Sequence, residues 1–63
     1  MSESASRVET HIKEVEQAYR VLQEACSDAR KMSKETGLAK AKERLSEGIR
    51  LAKSRLAEIE SNL

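Results

Sequence analysis

Apolar residues recur at alternating intervals of three and four along the first half of the chain. This repeat is typical of a helix that packs along one side, because positions a and d of each heptad then fall on one stripe. Pro is absent and Gly is rare, so nothing in this segment interrupts a helix. We therefore expect a first helix over about residues 5–34. Its stripe runs through Ala5, Val8, Ile12, Val15, Tyr19, Leu22, Cys26 and Ala29 and closes at Ser33.

A second stripe of the same spacing occupies the other half of the chain, but it is out of phase with the first. Extending the first stripe places its a positions at 40 and 47, whereas the second stripe has them at 42 and 49. The mismatch falls beside Gly37, and Gly tolerates the left-handed conformations that commonly end helices. We expect a turn at about residues 35–37, with Thr36 as a candidate N-cap, and a second helix over about 38–62. Its stripe consists of Leu38, Lys42, Leu45, Ile49, Ala52, Leu56, Ile59 and Leu63.

The two stripes match each other if the chain folds back on itself. In an antiparallel pair, an a residue faces a d residue of the other helix at a constant sum of residue numbers. A sum of 71 aligns the two stripes, sets Tyr19 opposite Ala52 and buries Cys26 against Leu45. The sequence therefore predicts an all-α fold, an antiparallel two-helix hairpin that forms a single domain over residues 1–63.

A second set of small and apolar residues lies beside this seam. A lone helix pair buries little surface, which favours packing against further helices. If the set is an interface, two hairpins form a four-helix bundle as a homodimer, or a helix of another protein binds there. The alternative is that surface alanines are ordinary helix formers without a function. The set comprises Ala18, Val21, Ala25, Met32, Ala41, Gly48 and Leu51.

The net charge is only +1, but the charges are unevenly distributed. The turn end of the hairpin is basic, whereas the end that holds both termini is acidic. One interpretation of the basic end is contact with phosphates or an acidic protein surface. The alternatives are a solvated helix surface and the orientation of an antiparallel dimer. The chain has no aromatic residues suited to base stacking beyond one Tyr and no known nucleic-acid-binding motif. The basic residues are Arg30, Lys31, Lys34, Lys40, Lys42 and Arg44.

The sequence has little of what catalysis or metal binding requires. The single His and the single Cys, His11 and Cys26, lie about 22 Å apart along one helix, too far for a nucleophile–base pair. We expect no enzyme activity, no cofactor, no metal site and no small-molecule substrate. The chain has no apolar run of about 18 residues and no apolar N-terminal segment typical of a signal peptide, so we expect no membrane contact. A lone Cys favours a reducing, cytoplasmic location.

These observations lead to two hypotheses about function. The first is a non-enzymatic protein–protein interaction module, that is, a small helical adaptor, inhibitor or chaperone-like regulator. It acts through an apolar face of the helix pair, which binds a second copy, a partner helix or both in competition. The alternative is a small RNA- or DNA-binding regulator, a dimeric four-helix bundle that uses its basic turn end.

Overall fold

The computed structural model describes the backbone of residues 3–63 and the side chains from residue 5 onward. Two helices, α1 (Glu3–Glu35) and α2 (Leu38–Ser61), pack against each other, and no strand occurs among the described residues. This confirms the predicted all-helical hairpin. Because α1 has 33 residues and α2 has 24, the start of α1 extends past the end of α2. The hairpin is a thin slab that measures 51 × 17 × 6 Å between Cα atoms.

Thr36 and Gly37 connect the two helices in a tight turn. The carbonyl of Met32 accepts hydrogen bonds from the backbone N–H groups of Thr36 (2.7 Å) and Gly37 (2.9 Å), and from the Thr36 hydroxyl (3.1 Å). Gly37 has φ 106°, in the left-handed region that favours glycine, and it is the N-cap residue of α2. Thr36 therefore closes α1 rather than capping α2, which corrects the expectation for its side chain.

Small residues form the line of contact between the helices. Ala18 and Ala25 of α1 are completely buried, and Ala41, Gly48 and Ala52 of α2 are buried with them, together with the larger Ile59. A Cβ atom added to Gly48 would collide with the Cβ atom of Ala25. At this level the two backbones are therefore about as close as the residues allow, because a larger side chain here would hold the helices apart.

The predicted a/d seam is wrong as a description of most of this contact, although Ala52 and Ile59 of the second stripe are buried in it. Tyr19 is 62% exposed, and Cys26, expected to be buried, is exposed as well. At about 100° per residue, the middle of the predicted seam lies about 70° around α1 and about 50° around α2 from the actual contact. Two helices share only one line of contact, and here that line is occupied by Ala and Gly along most of its length and by Ile59 near the termini. The other large side chains of the stripes consequently lie to one side of it.

The longitudinal register of the helices agrees with the prediction to within two residues. Ala25 lies against Gly48, and the Asp28 carboxylate accepts a hydrogen bond from Arg44 (Nε to Oδ2, 3.0 Å). The residue numbers in these pairs add to 73 and 72, against the predicted 71. The helices are therefore rotated about their axes relative to the prediction but hardly shifted along them.

Candidate interaction surface

Most of the large apolar side chains of both helices lie on one broad side of the hairpin, which we call the apolar face. Two shallow grooves run along it between the helices. Val15 and Ile59 line the groove near the termini, and Tyr19 and Ile49 line the groove near the middle. Val8, Tyr19 and Ile49 are 45–62% exposed. The apolar face consists of Val8, Ile12, Val15, Tyr19, Leu22 and Cys26 from α1, of Leu38, Leu45, Ile49 and Leu56 from α2, and of Leu63 just after α2.

Charged residues border the apolar face along both of its outer edges. The α1 edge carries Glu9 near the termini and Arg30 near the turn, and Arg30 lines one of the grooves. The α2 edge repeats this order, with Glu60 near the termini and Lys42 near the turn. All four residues are exposed. Each edge is therefore acidic at one end of the hairpin and basic at the other.

The opposite side of the hairpin, which we call the polar face, is crossed by an ion pair. Arg44 contacts Asp28 at 3.0 Å and Glu47 at 3.6 Å, and its side chain is only 20% exposed. Asp28 belongs to α1 and Arg44 to α2, so the ion pair links the two helices. Val21 and Leu51 also lie on this side, where Val21 is half-buried and Leu51 is 46% exposed.

The structure divides the predicted interface set between the helix contact and the polar face. Met32 is half-buried near the turn, and Val21 and Leu51 lie on the polar face. The other four members are covered by the opposing helix of the same chain, so they are not free to contact a second molecule while the hairpin is closed. Small residues do permit a close helix approach here, but the approach is within one chain, which corrects the assignment for Ala18, Ala25, Ala41 and Gly48.

The six basic residues do not form a single patch. Arg44 is occupied by Asp28 and Glu47. Arg30 and Lys42 border the apolar face, whereas Lys40 falls on the side of α2 that carries the polar face. Lys31 and Lys34 project from the outer side of α1 near the turn. The turn end is therefore basic all around rather than on one binding surface.

The remaining candidates for chemistry are isolated from one another. The Nδ1 atom of His11 lies 2.9 Å from Glu14 Oε1, one turn away on the same helix. Among the described residues, no three His, Cys, Asp or Glu side chains converge in a group able to hold a metal ion. Neither described helix has the length and apolar character required to cross a membrane.

The apolar face is the surface that sequence reasoning assigned to the interior. The sequence did mark the residues of the apolar face, because they occupy the a and d positions of the heptad repeat. What the heptad pattern does not specify is whether those positions face the other helix of the hairpin or the centre of a larger assembly. No known family model matches this chain, and comparisons with curated proteins and with solved structures found no match.

Proposed function

We propose that this chain is a non-enzymatic protein–protein interaction module and that the apolar face is its binding surface. Monomeric proteins rarely expose a continuous apolar patch of more than a few hundred Å², and such patches commonly mark sites of association. Here the patch extends over most of one side of the hairpin and includes residues from both helices. Its charged edges are typical of the polar rim that surrounds the apolar core of an interface.

The observation that carries this proposal is the exposure of large side chains on the heptad stripes. Val15, Tyr19 and Ile49 are 43%, 62% and 45% exposed although they occupy a and d positions. Burying a side chain of this size contributes about 1.5–3 kcal/mol. The closed hairpin leaves much of this free energy unused, and association through the apolar face would recover it.

A matched pair of variants on α2 tests the proposal. Ile49 and Leu51 are 45% and 46% exposed, but Ile49 lies on the apolar face and Leu51 on the polar face. The variants Ile49→Glu and Leu51→Glu introduce the same charge at nearly equal exposure. Each is immobilised, and the capture of host proteins and of free copies of this chain is quantified, with helix content followed by circular dichroism.

We expect Ile49→Glu to abolish capture of proteins that the parent retains, whereas Leu51→Glu retains them. The proposal is wrong if the parent captures nothing, or if the two variants lose the same proteins while both remain helical. A further variant, Lys31→Glu with Lys34→Glu, addresses the basic turn end. Under the proposal it leaves capture unchanged, whereas a nucleic-acid-binding function acting through the turn end requires it to lose its ligand.

A further inference from the structure

The area of the chain indicates how much surface a partner must cover. The chain exposes 5273 Å², whereas a compact protein of 7.1 kDa exposes about 4,100 Å². The difference, about 1,200 Å², exceeds the roughly 800 Å² that each partner contributes to a standard interface. A second slab of the same length and width is sufficient to cover the apolar face from end to end.

We propose that the occupant of the apolar face is a second copy of this chain, packed head to tail about a two-fold axis perpendicular to the helices. This inference rests on the proposed function and specifies the partner. In this arrangement α1 lies antiparallel to α1 of the partner subunit, and α2 lies antiparallel to its α2. The turn end of each copy then lies beside the termini of the other. The product is a four-helix bundle whose centre is filled by a and d residues.

The heptad positions restrict the register of this dimer to steps of seven residues, and the step that overlaps the helices of the two copies most fully is the one described here. Along α1, a and d residues face each other when their numbers add to 41, which sets Val15 opposite the partner's Cys26. Along α2 the corresponding sum is 101, which sets Leu45 opposite the partner's Leu56. The two-fold axis then passes α1 near residues 20–21 and α2 near 50–51. These positions lie at nearly one height in the hairpin, since their numbers add to about 71 and facing residues in the structure add to 72 or 73. A single two-fold axis can therefore pass both helices.

The charges on the edges of the apolar face favour this arrangement. The head-to-tail register places Arg30 of one copy near the partner's Glu9, and Lys42 near the partner's Glu60. The two-fold symmetry makes two of each pair. Lys42, the one charge within the second stripe, thereby acquires an acidic neighbour. Glu16 of one copy lies near the partner's Gln23, which is uncharged, so no repulsion arises there.

The alternative two-fold axis, parallel to the helices, brings equal charges together. It stacks the two turn ends and sets each α1 along the partner's α2 at equal height. Arg30 then lies near the partner's Lys42, and Glu9 lies near the partner's Glu60. Like charges placed together at an interface oppose association, whereas opposite charges set partner orientation. This axis also sets Glu16 near the partner's Lys53, so it makes four like-charge contacts and two opposite-charge contacts in all. The head-to-tail axis makes four opposite-charge contacts among the same edge residues, and the balance of charge therefore favours the head-to-tail dimer.

A spin-label distance measures the orientation directly. Thr36→Cys in a Cys26→Ser background places one nitroxide at each turn. Two turns separated by about 31 residues along the bundle are about 45–50 Å apart at 1.5 Å per residue. We expect this distance, whereas stacked turn ends would bring the labels to about 20 Å. A short distance overturns the head-to-tail dimer but leaves the proposed function in place. The dimer is likewise overturned, and the proposed function kept, if sedimentation equilibrium at millimolar concentration shows a monomer while the chain captures another protein through Ile49.

Two further variants test the register and the charge pairs. Val15→Cys, with the native Cys26, should form an intermolecular disulfide under mild oxidation, because the two thiols of one chain lie about 16 Å apart along α1. Arg30→Glu should weaken the dimer roughly tenfold at low salt, and Glu9→Arg in the same chain should restore it. Arg50→Glu carries the same charge change on the outer side of α2 and should leave dissociation unchanged. Absence of the disulfide, or equal weakening by Arg30→Glu and Arg50→Glu, contradicts the register.

Discussion

The close contact between Ala25 and Gly48 makes the sign of one substitution informative. On an exposed helix surface, a Gly→Ala substitution stabilises a protein by about 0.5–1 kcal/mol, because Ala loses less backbone entropy than Gly on folding. In this hairpin the added Cβ atom collides with the Cβ atom of Ala25. Neither atom is the end of a flexible side chain, so the helices themselves must separate.

Overpacking of this kind costs about 1–3 kcal/mol. Less the gain in helix propensity, the net loss is about 0–2.5 kcal/mol, and we expect Gly48→Ala to lower the free energy of unfolding by about 1 kcal/mol. For a domain of this size that is a fall in Tm of about 4–8 °C. The second substitution Ala25→Gly removes the opposing methyl group and exchanges the two helix propensities. The double variant should therefore recover to within about 1 kcal/mol of the parent.

The assay is thermal and urea unfolding followed by circular dichroism at 222 nm. All variants are compared at one low protein concentration, because association raises apparent stability. Ser46→Gly and Ser46→Ala, at an exposed position of α2, calibrate the helix propensity near Gly48. A rise in Tm of several degrees is what an open helix surface would give. It would show that the helices do not pack through Ala25 and Gly48 and would favour packing through the a and d residues.

Three further predictions concern the turn, the ion pair and the thiol. Gly37→Ala should cost about 1–3 kcal/mol of stability through its positive φ alone, since no atom lies within 4 Å of the added methyl; D-Ala at this position, introduced by chemical synthesis, should not. Asp28→Asn should cost about 0.2–1 kcal/mol by urea unfolding at low salt and almost nothing in 1 M salt; an undiminished cost in high salt would contradict a screened ion pair. Cys26 should react readily with a thiol reagent in dilute protein and more slowly as concentration rises. A rate independent of concentration contradicts its place in the dimer.

The hairpin and its register were predictable from the sequence for separate physical reasons. The change of heptad phase locates the break, and Gly37 supplies a conformation that other residues rarely adopt. Because both arms carry the same repeat, folding back at this point fixes which levels of α1 and α2 meet. The structure accordingly places Asp28 beside Arg44, within one residue of the expected register.

The rotation of the helices was not predictable from the same pattern. Heptad reasoning assigns the largest apolar residues to the nearest contact, which holds for a two-stranded coiled coil. A hairpin that forms one layer of a larger bundle instead directs them toward the other layer. The sequence signal for this second arrangement is the seven-residue spacing of small residues in both helices, from Ala18 to Ala25 and from Ala41 to Gly48. That signal indicates close helix approach but does not say which helix approaches.

The central claim is that the hairpin closes mainly on its small residues and leaves most of the large side chains of its heptad stripes facing outward. Nuclear Overhauser effects between the Ala25 methyl group and the Gly48 α-protons test it most directly, in protein dilute enough to be monomeric. We predict strong cross-peaks between these two groups within one chain. Their absence, accompanied by strong attenuation of the Ala25 methyl signal by a soluble paramagnetic agent, would contradict the account.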